Sequence, residues 1–194
     1  MKYYFNTKHS VIIRIAGICG IFIPVLFFVC LGFSITSSPW FTWTEHALSD
    51  LGIQENTVGV IFNISFILGG VLVLIFSLGL IEILSYKIGA YLLLLSSLAL
   101  IGIGLFPETI FTLHFLTSSS FFILLTFALL VIGLTSKSNL YERRIGTIAL
   151  VLALIAISST FFLFYFKGIA ISEAFVCFPA FIWCSIVGIH MTYI

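Results

Sequence analysis

Residues Trp40–Gly52 read WFTWTEHALSDLG, an island of mixed polarity between two long apolar runs. It carries too many polar groups to cross a bilayer, yet it holds two tryptophans and two leucines. Ser38 suits a helix N-cap, Pro39 the first turn and Gly52 the stop. At about 100° per residue, Trp40, Trp43, Ala47, Leu48 and Leu51 share one face. Thr42, Glu45, His46 and Ser49 share the other, with Asp50 at the boundary. The pattern predicts a short amphipathic helix over 39–51, lying in the membrane interface with its tryptophans at headgroup level. His46 and Asp50, four residues apart, then project the same way from its polar edge.

Around this island the chain is apolar almost throughout. Its 194 residues are 61% hydrophobic and 8% charged, with a mean hydropathy of +1.29. A soluble domain of this length cannot hide so much apolar surface, so the composition specifies an all-α polytopic membrane protein. Runs near 11–33, 57–81, 88–106, 111–135, 145–166 and 174–194 reach the ~20 residues a span requires. They predict a single transmembrane domain of six helices over 1–194. Lys2, Lys8 and Arg14 lie at or before the start of the first run. It exceeds the ~7–15 apolar residues of a signal peptide and lacks an Ala-x-Ala site, which predicts a retained helix. Short connections make successive helices antiparallel neighbours, and the small pairs Ala16/Gly20 and Ser65/Gly69 allow close packing.

Orientation follows from the cations. Lys2, Lys8, Arg14, Lys87, Lys137, Arg143 and Arg144 fall on the side of both termini, and Lys167 alone on the other, out of eight. The positive-inside rule predicts a multi-pass cell-membrane protein with both termini cytoplasmic and the 40–52 segment outside. The chain has no nucleotide loop, CxxC, HExxH or basic stripe, so no nucleic-acid partner is expected. Cys19, Cys30, Cys177 and Cys184 sit in apolar runs and read as buried small hydrophobes; a Cys30–Cys177 disulfide is the other reading. His190 reads as a cap on the last helical turn, since a haem would need a second histidine at its depth and His9 is the one candidate.

Polar side chains within spans are costly, so their grouping is informative. In this topology Asn63, His114, Ser118 and Ser158 lie in the outer parts of their helices. Glu173 opens the sixth helix and Glu108 precedes the fourth, on the same side as His46 and Asp50. One reading makes His46, Asp50 and His114 ligands of a zinc ion with an open position for water. The metal would bring that water's pKa to ~7, with Glu108 or Glu173 shuttling protons and Ser118 steadying an oxyanion. Trp43, Asn63 and Ser158 would then line a pocket for a membrane lipid arriving sideways. The other reading makes His46–Asp50 a structural tether, and has His114 donate to a backbone carbonyl left free near Pro107. A function follows from each: metal-dependent hydrolysis or transfer on a lipid, or a non-enzymatic subunit, carrier or small-ligand binder.

The string His46-Ala-Leu-Ser49-Asp50-Leu51-Gly52 resembles the HxxSDLG signature of a polytopic membrane family, domain of unknown function 998. Phe106-Pro107-Glu108, followed by His114 and by Phe121-Phe122, resembles that family's second signature. The resemblance covers essentially the whole chain and implies six helices, with functional weight on His46, Asp50, Glu108 and His114. It implies no activity. A more distant similarity, in His/Asp/Ser groups at one membrane face, is to the alkaline-ceramidase and progestin-receptor-like hydrolases. Those end in an HxxxH pair on a late helix, where this chain has His190 alone.

Overall fold

The computed structural model describes residues 7–194, and the backbone alone for 7–10. Lys2 and the side chains of Lys8 and His9 therefore lie outside the described residues. Six helices follow in order: α1 (Thr7–Thr36), α2 (Thr57–Ile83), α3 (Ile88–Leu105), α4 (Phe111–Thr135), α5 (Leu140–Ser159) and α6 (Ala170–Thr192). All six are long and apolar enough to cross a membrane. Each packs on its successor, and α6 returns to α1, closing a ring. Below, the terminal end is the one at the start of α1 and the finish of α6. The distal end carries the α1–α2, α3–α4 and α5–α6 connections.

Local chemistry sets where the helices begin and stop. The Asn56 side chain accepts the Val58 N–H at 2.8 Å and starts α2. Asn139 accepts the Glu142 N–H at 2.8 Å, so α5 begins at Leu140, before the apolar run that hydropathy places from 145. At the other end of α5, Ser159 and Thr160 hydroxyls bond to carbonyls three residues back, at 2.8 and 2.7 Å. Hydroxyls competing for backbone carbonyls favour departure from a regular helix. Here the predicted span to 166 gives way to a 3₁₀ turn over Thr160–Phe164. Among the described residues, all four cysteines are free, so Cys30 and Cys177 are not paired.

The core fills the ring's interior. Phe76, Trp183 and Phe121 are its largest fully buried side chains, and Trp183 Nε1 donates to the Ile145 carbonyl at 3.0 Å, stitching α6 to α5. The Ala16/Gly20 notch admits α6: a Cβ on Gly20 would stand 2.8 Å from the Cys184 carbonyl oxygen. α5 is the most loosely held member of the ring. A second apolar cluster, Leu31, Phe41, Leu48, Leu51, Phe62 and Ala170, closes the distal end beneath the α1–α2 connection.

That connection corrects the sequence reading. No amphipathic α-helix spans 39–51; the segment is a set of turns followed by a 3₁₀ helix over Leu48–Gly52. Some of its backbone donors close local turns, and three go to side chains instead of to a helical ladder. Thr42 N–H donates to His46 Nδ1 at 3.2 Å, Ala47 N–H to Asp50 Oδ2 at 3.0 Å, and Leu48 N–H to Glu173 Oε2 at 2.6 Å. Leu48 and Leu51 are buried as the pattern requires, a burial worth ~1.5–3 kcal/mol each. The buried aromatic is Phe41, while Trp40 and Trp43 stay 42% and 38% exposed.

Candidate functional site

The α1–α2 connection is docked as a cap over the distal end. Gly168 N–H donates to the Thr44 carbonyl at 2.9 Å, and Ala170 N–H to the His46 carbonyl at 3.0 Å. Asn63 Nδ2 donates to the Gly52 carbonyl at 2.9 Å, and Gln54 Nε2 to Ser38 Oγ at 2.8 Å. A Cβ on Gly168 would run into the backbone of Glu45 and His46, so glycine is what lets the two connections touch.

Beneath this cap the 3₁₀ helix, the α3–α4 connection, α4 and α6 bring acidic groups together. Ser49 Oγ donates to Glu108 Oε2 at 3.2 Å. Asp50 adjoins Glu108, and both lie within electrostatic reach of Glu173. His114 faces Glu108 from α4 and is 8% exposed. Its Nδ1 lies 2.8 Å from the Phe106 carbonyl, the group that precedes Pro107. A carbonyl can only accept, so Nδ1 carries the hydrogen, and in the neutral ring Nε2 is left as an acceptor.

Burial pushes the Glu108 carboxyl up from its ordinary range, and the neighbouring Asp50 charge adds to the rise; the Ser49 hydroxyl partly offsets it. A raised carboxyl binds its proton more tightly in the folded state than in the unfolded one. Its contribution to stability is full below the unfolded value and is lost as pH rises through the folded one. Removing the group with Glu108→Gln is therefore expected to flatten the loss of thermal stability between pH 4.5 and neutrality. Parallel melting curves of parent and variant, equally pH-dependent, would contradict the raised carboxyl.

Two cavities meet at Glu173. A small one, about 30 Å³, is lined by Ser49, His114, Ser118, Cys177 and Glu173 among others. That is room for about one or two waters. A larger groove of about 440 Å³ runs between α4, α5 and the start of α6, walled by Phe122, Ile123, Phe127, Ala156, Leu163 and Val176. Ser119, Thr126, Ser159, Thr160, Ser172 and Glu173 supply its polar groups. Glu173, held by the Leu48 N–H, borders both spaces.

The structure thus gathers Asp50, Glu108, His114 and Glu173, with Ser118 on the small cavity's wall, where its Oγ bonds the His114 carbonyl at 2.7 Å. His46 stands outside this cluster. Its Nδ1 lies 3.2 Å from both Thr42 N and Thr42 Oγ1, and its ring meets Trp40 at 5.0 Å between centroids. Among the described residues, no three His, Cys, Asp or Glu side chains are grouped so as to hold a metal ion. His46, Asp50 and His114 are accordingly not a ligand set in this arrangement. Trp43 packs edge-on against Phe41 at 5.5 Å, and Asn63 braces the 3₁₀ helix, so neither lines the groove. Ser158 is exposed and bonds back to the Leu154 carbonyl at 2.6 Å; its neighbour Ser159 is the groove residue. Ser49 and Ser172 complete the site. Ser49 was already visible within the HxxSDLG string.

Residues 21–190 match the model of a family described as protein of unknown function DUF998. No curated protein matches the chain. No solved structure matches it either.

Proposed function

The chain belongs to the DUF998 family, whose function is unknown, and we propose that it is a membrane-embedded hydrolase or transferase acting on a lipid. The observation that carries this reading is Glu173, one carboxyl bordering both a water-sized cavity, onto which Ser49, His114 and Ser118 also open, and a lipid-sized apolar groove. A hydrocarbon chain enters between α4 and α5 and lies along the groove, which brings its ester or amide to Ser159, Ser172 and Glu173. Glu173 takes a proton from a water in the small cavity as the water oxygen adds to the carbonyl carbon. The carbon–oxygen or carbon–nitrogen bond then breaks, and the leaving group takes a proton from Glu108, relayed through Ser49. An alcohol in place of water gives transfer. Positioned acid–base groups of this kind contribute roughly 10²–10⁴-fold in rate.

The test is turnover of acyl-labelled glycerolipids and sphingolipids by purified protein in vesicles. The parent is expected to release labelled chain, and Glu173→Gln to lose at least ~100-fold in rate. Lipid bound with no turnover by either protein would leave a carrier or binder instead. Stoichiometric zinc in the parent, absent from His114→Ala, would transfer the chemistry to a metal-bound hydroxide.

On the same reading the distal site faces outward and both termini are cytoplasmic, because Lys8, Arg14, Lys87, Lys137, Arg143 and Arg144 lie toward the terminal end and, among the described residues, Lys167 alone toward the other. A cysteine at position 45 is then labelled by an impermeant reagent added outside, and one at 140 is protected. The reverse pattern would put the site on the cytoplasmic side.

A further inference from the structure

The terminal end holds a second polar cavity, remote from the distal cluster. About 460 Å³ in volume, it is lined by Glu82, Ser85, Asn139, Tyr141, Glu142 and His190, together with apolar groups. This falls within the ~300–1,000 Å³ typical of small-molecule sites. Glu142 is only 3% exposed. Its Oε1 accepts from Ser85 Oγ at 2.8 Å and from Asn139 Nδ2 at 3.1 Å, both neutral donors. Its Oε2 is buried without a hydrogen-bond partner, and so is the Tyr141 hydroxyl beside it in sequence. Buried polar atoms in native proteins are nearly always satisfied, and a buried carboxylate needs a positive partner above all. Among the described residues no lysine or arginine lines the cavity, although Lys87, Lys137, Arg143 and Arg144 are all exposed at this end of the molecule.

We propose that this cavity binds a small organic ammonium ion, its N–H donors taken by Glu142 and a second polar group by the Tyr141 hydroxyl. A metal cation fits less well, since no three ligating side chains are grouped among the described residues. An ammonium needs one carboxylate and a few further acceptors. The Tyr141 ring stacks on His190 at 3.6 Å between centroids, 21° from parallel. Both unpartnered atoms are covered, so entry of the ion parts this stack.

The test uses the full chain purified in detergent, with thermal stability followed as probes are titrated at constant ionic strength. Ethanolamine carries an ammonium and a hydroxyl, ethylene glycol lacks the charge, tetramethylammonium lacks N–H donors, and magnesium chloride supplies a divalent cation. Ethanolamine is expected to raise the melting temperature saturably, and the other three to leave it unchanged. Glu142→Gln is expected to weaken the apparent affinity at least tenfold. Tyr141→Phe removes a hydroxyl that has no partner, so it should melt like the parent while binding ethanolamine several-fold more weakly; it keeps the test decisive if Glu142→Gln does not fold. No shift with ethanolamine in the parent, an unchanged affinity in Tyr141→Phe, or an equal shift with tetramethylammonium or magnesium would each overturn the proposal.

Discussion

Gly168→Ala is expected to lower stability by at least ~3 kcal/mol, the upper range of ordinary overpacking. The atoms a Cβ would strike are backbone atoms of Glu45 and His46, which cannot rotate away as a side chain would. Relief requires the two connections to separate, and with them the Gly168–Thr44 and Ala170–His46 hydrogen bonds. Each of those bonds contributes about 1 kcal/mol. For a chain of this size the loss corresponds to a fall of roughly 6–12 °C in melting temperature. Gly32→Ala is the control, because nothing lies within 4 Å of the Cβ it would add. Equal melting of the two variants would mean that the cap is not held against the α5–α6 connection.

Ser119→Phe is the second large effect, and it acts on function while sparing the fold. Ser119 is half-buried on α4 and borders the groove, so a phenyl ring there extends into open space. Ala153 of α5 is wholly buried in the core, and the same change there forces overpacking. Ser119→Phe is expected to cut lipid turnover more than ~10-fold with an unchanged melting temperature, whereas Ala153→Phe destabilises by ~1–3 kcal/mol. Undiminished turnover in Ser119→Phe would place the substrate elsewhere.

The contrast between these positions also shows what a linear reading can see. Hydropathy located six helices because a span must be continuously apolar and about 20 residues long. His114 was legible for a related reason: a costly intramembrane imidazole next to a proline break finds the freed carbonyl, here that of Phe106. The 39–51 segment misled because periodicity describes side chains and says nothing of where the backbone donors go. Its Leu48 N–H is satisfied by Glu173, 125 residues away, a partner invisible to any local pattern. With the segment in turns, His46 and Asp50 no longer share a helical edge, and Asp50 joins Glu108 while His46 turns back to Thr42. The Ser158/Ser159 exchange has a smaller cause. Neighbouring helical residues point about 100° apart, and here it is Ser159 that borders the groove while Ser158 turns away from it.

The central claim is that a lipid chain lies in the groove with its polar end at Glu173. The direct measurement is photo-crosslinking in vesicles with a lipid carrying a diazirine on its acyl chain, followed by mapping of the labelled residues. Label is expected to concentrate on the groove-lining Ile123, Phe127 and Leu163, and to exceed that on Val60 and Leu68, exposed positions of α2 outside the groove. Label spread evenly over the exposed apolar residues of all six helices would contradict a lipid site between α4 and α5.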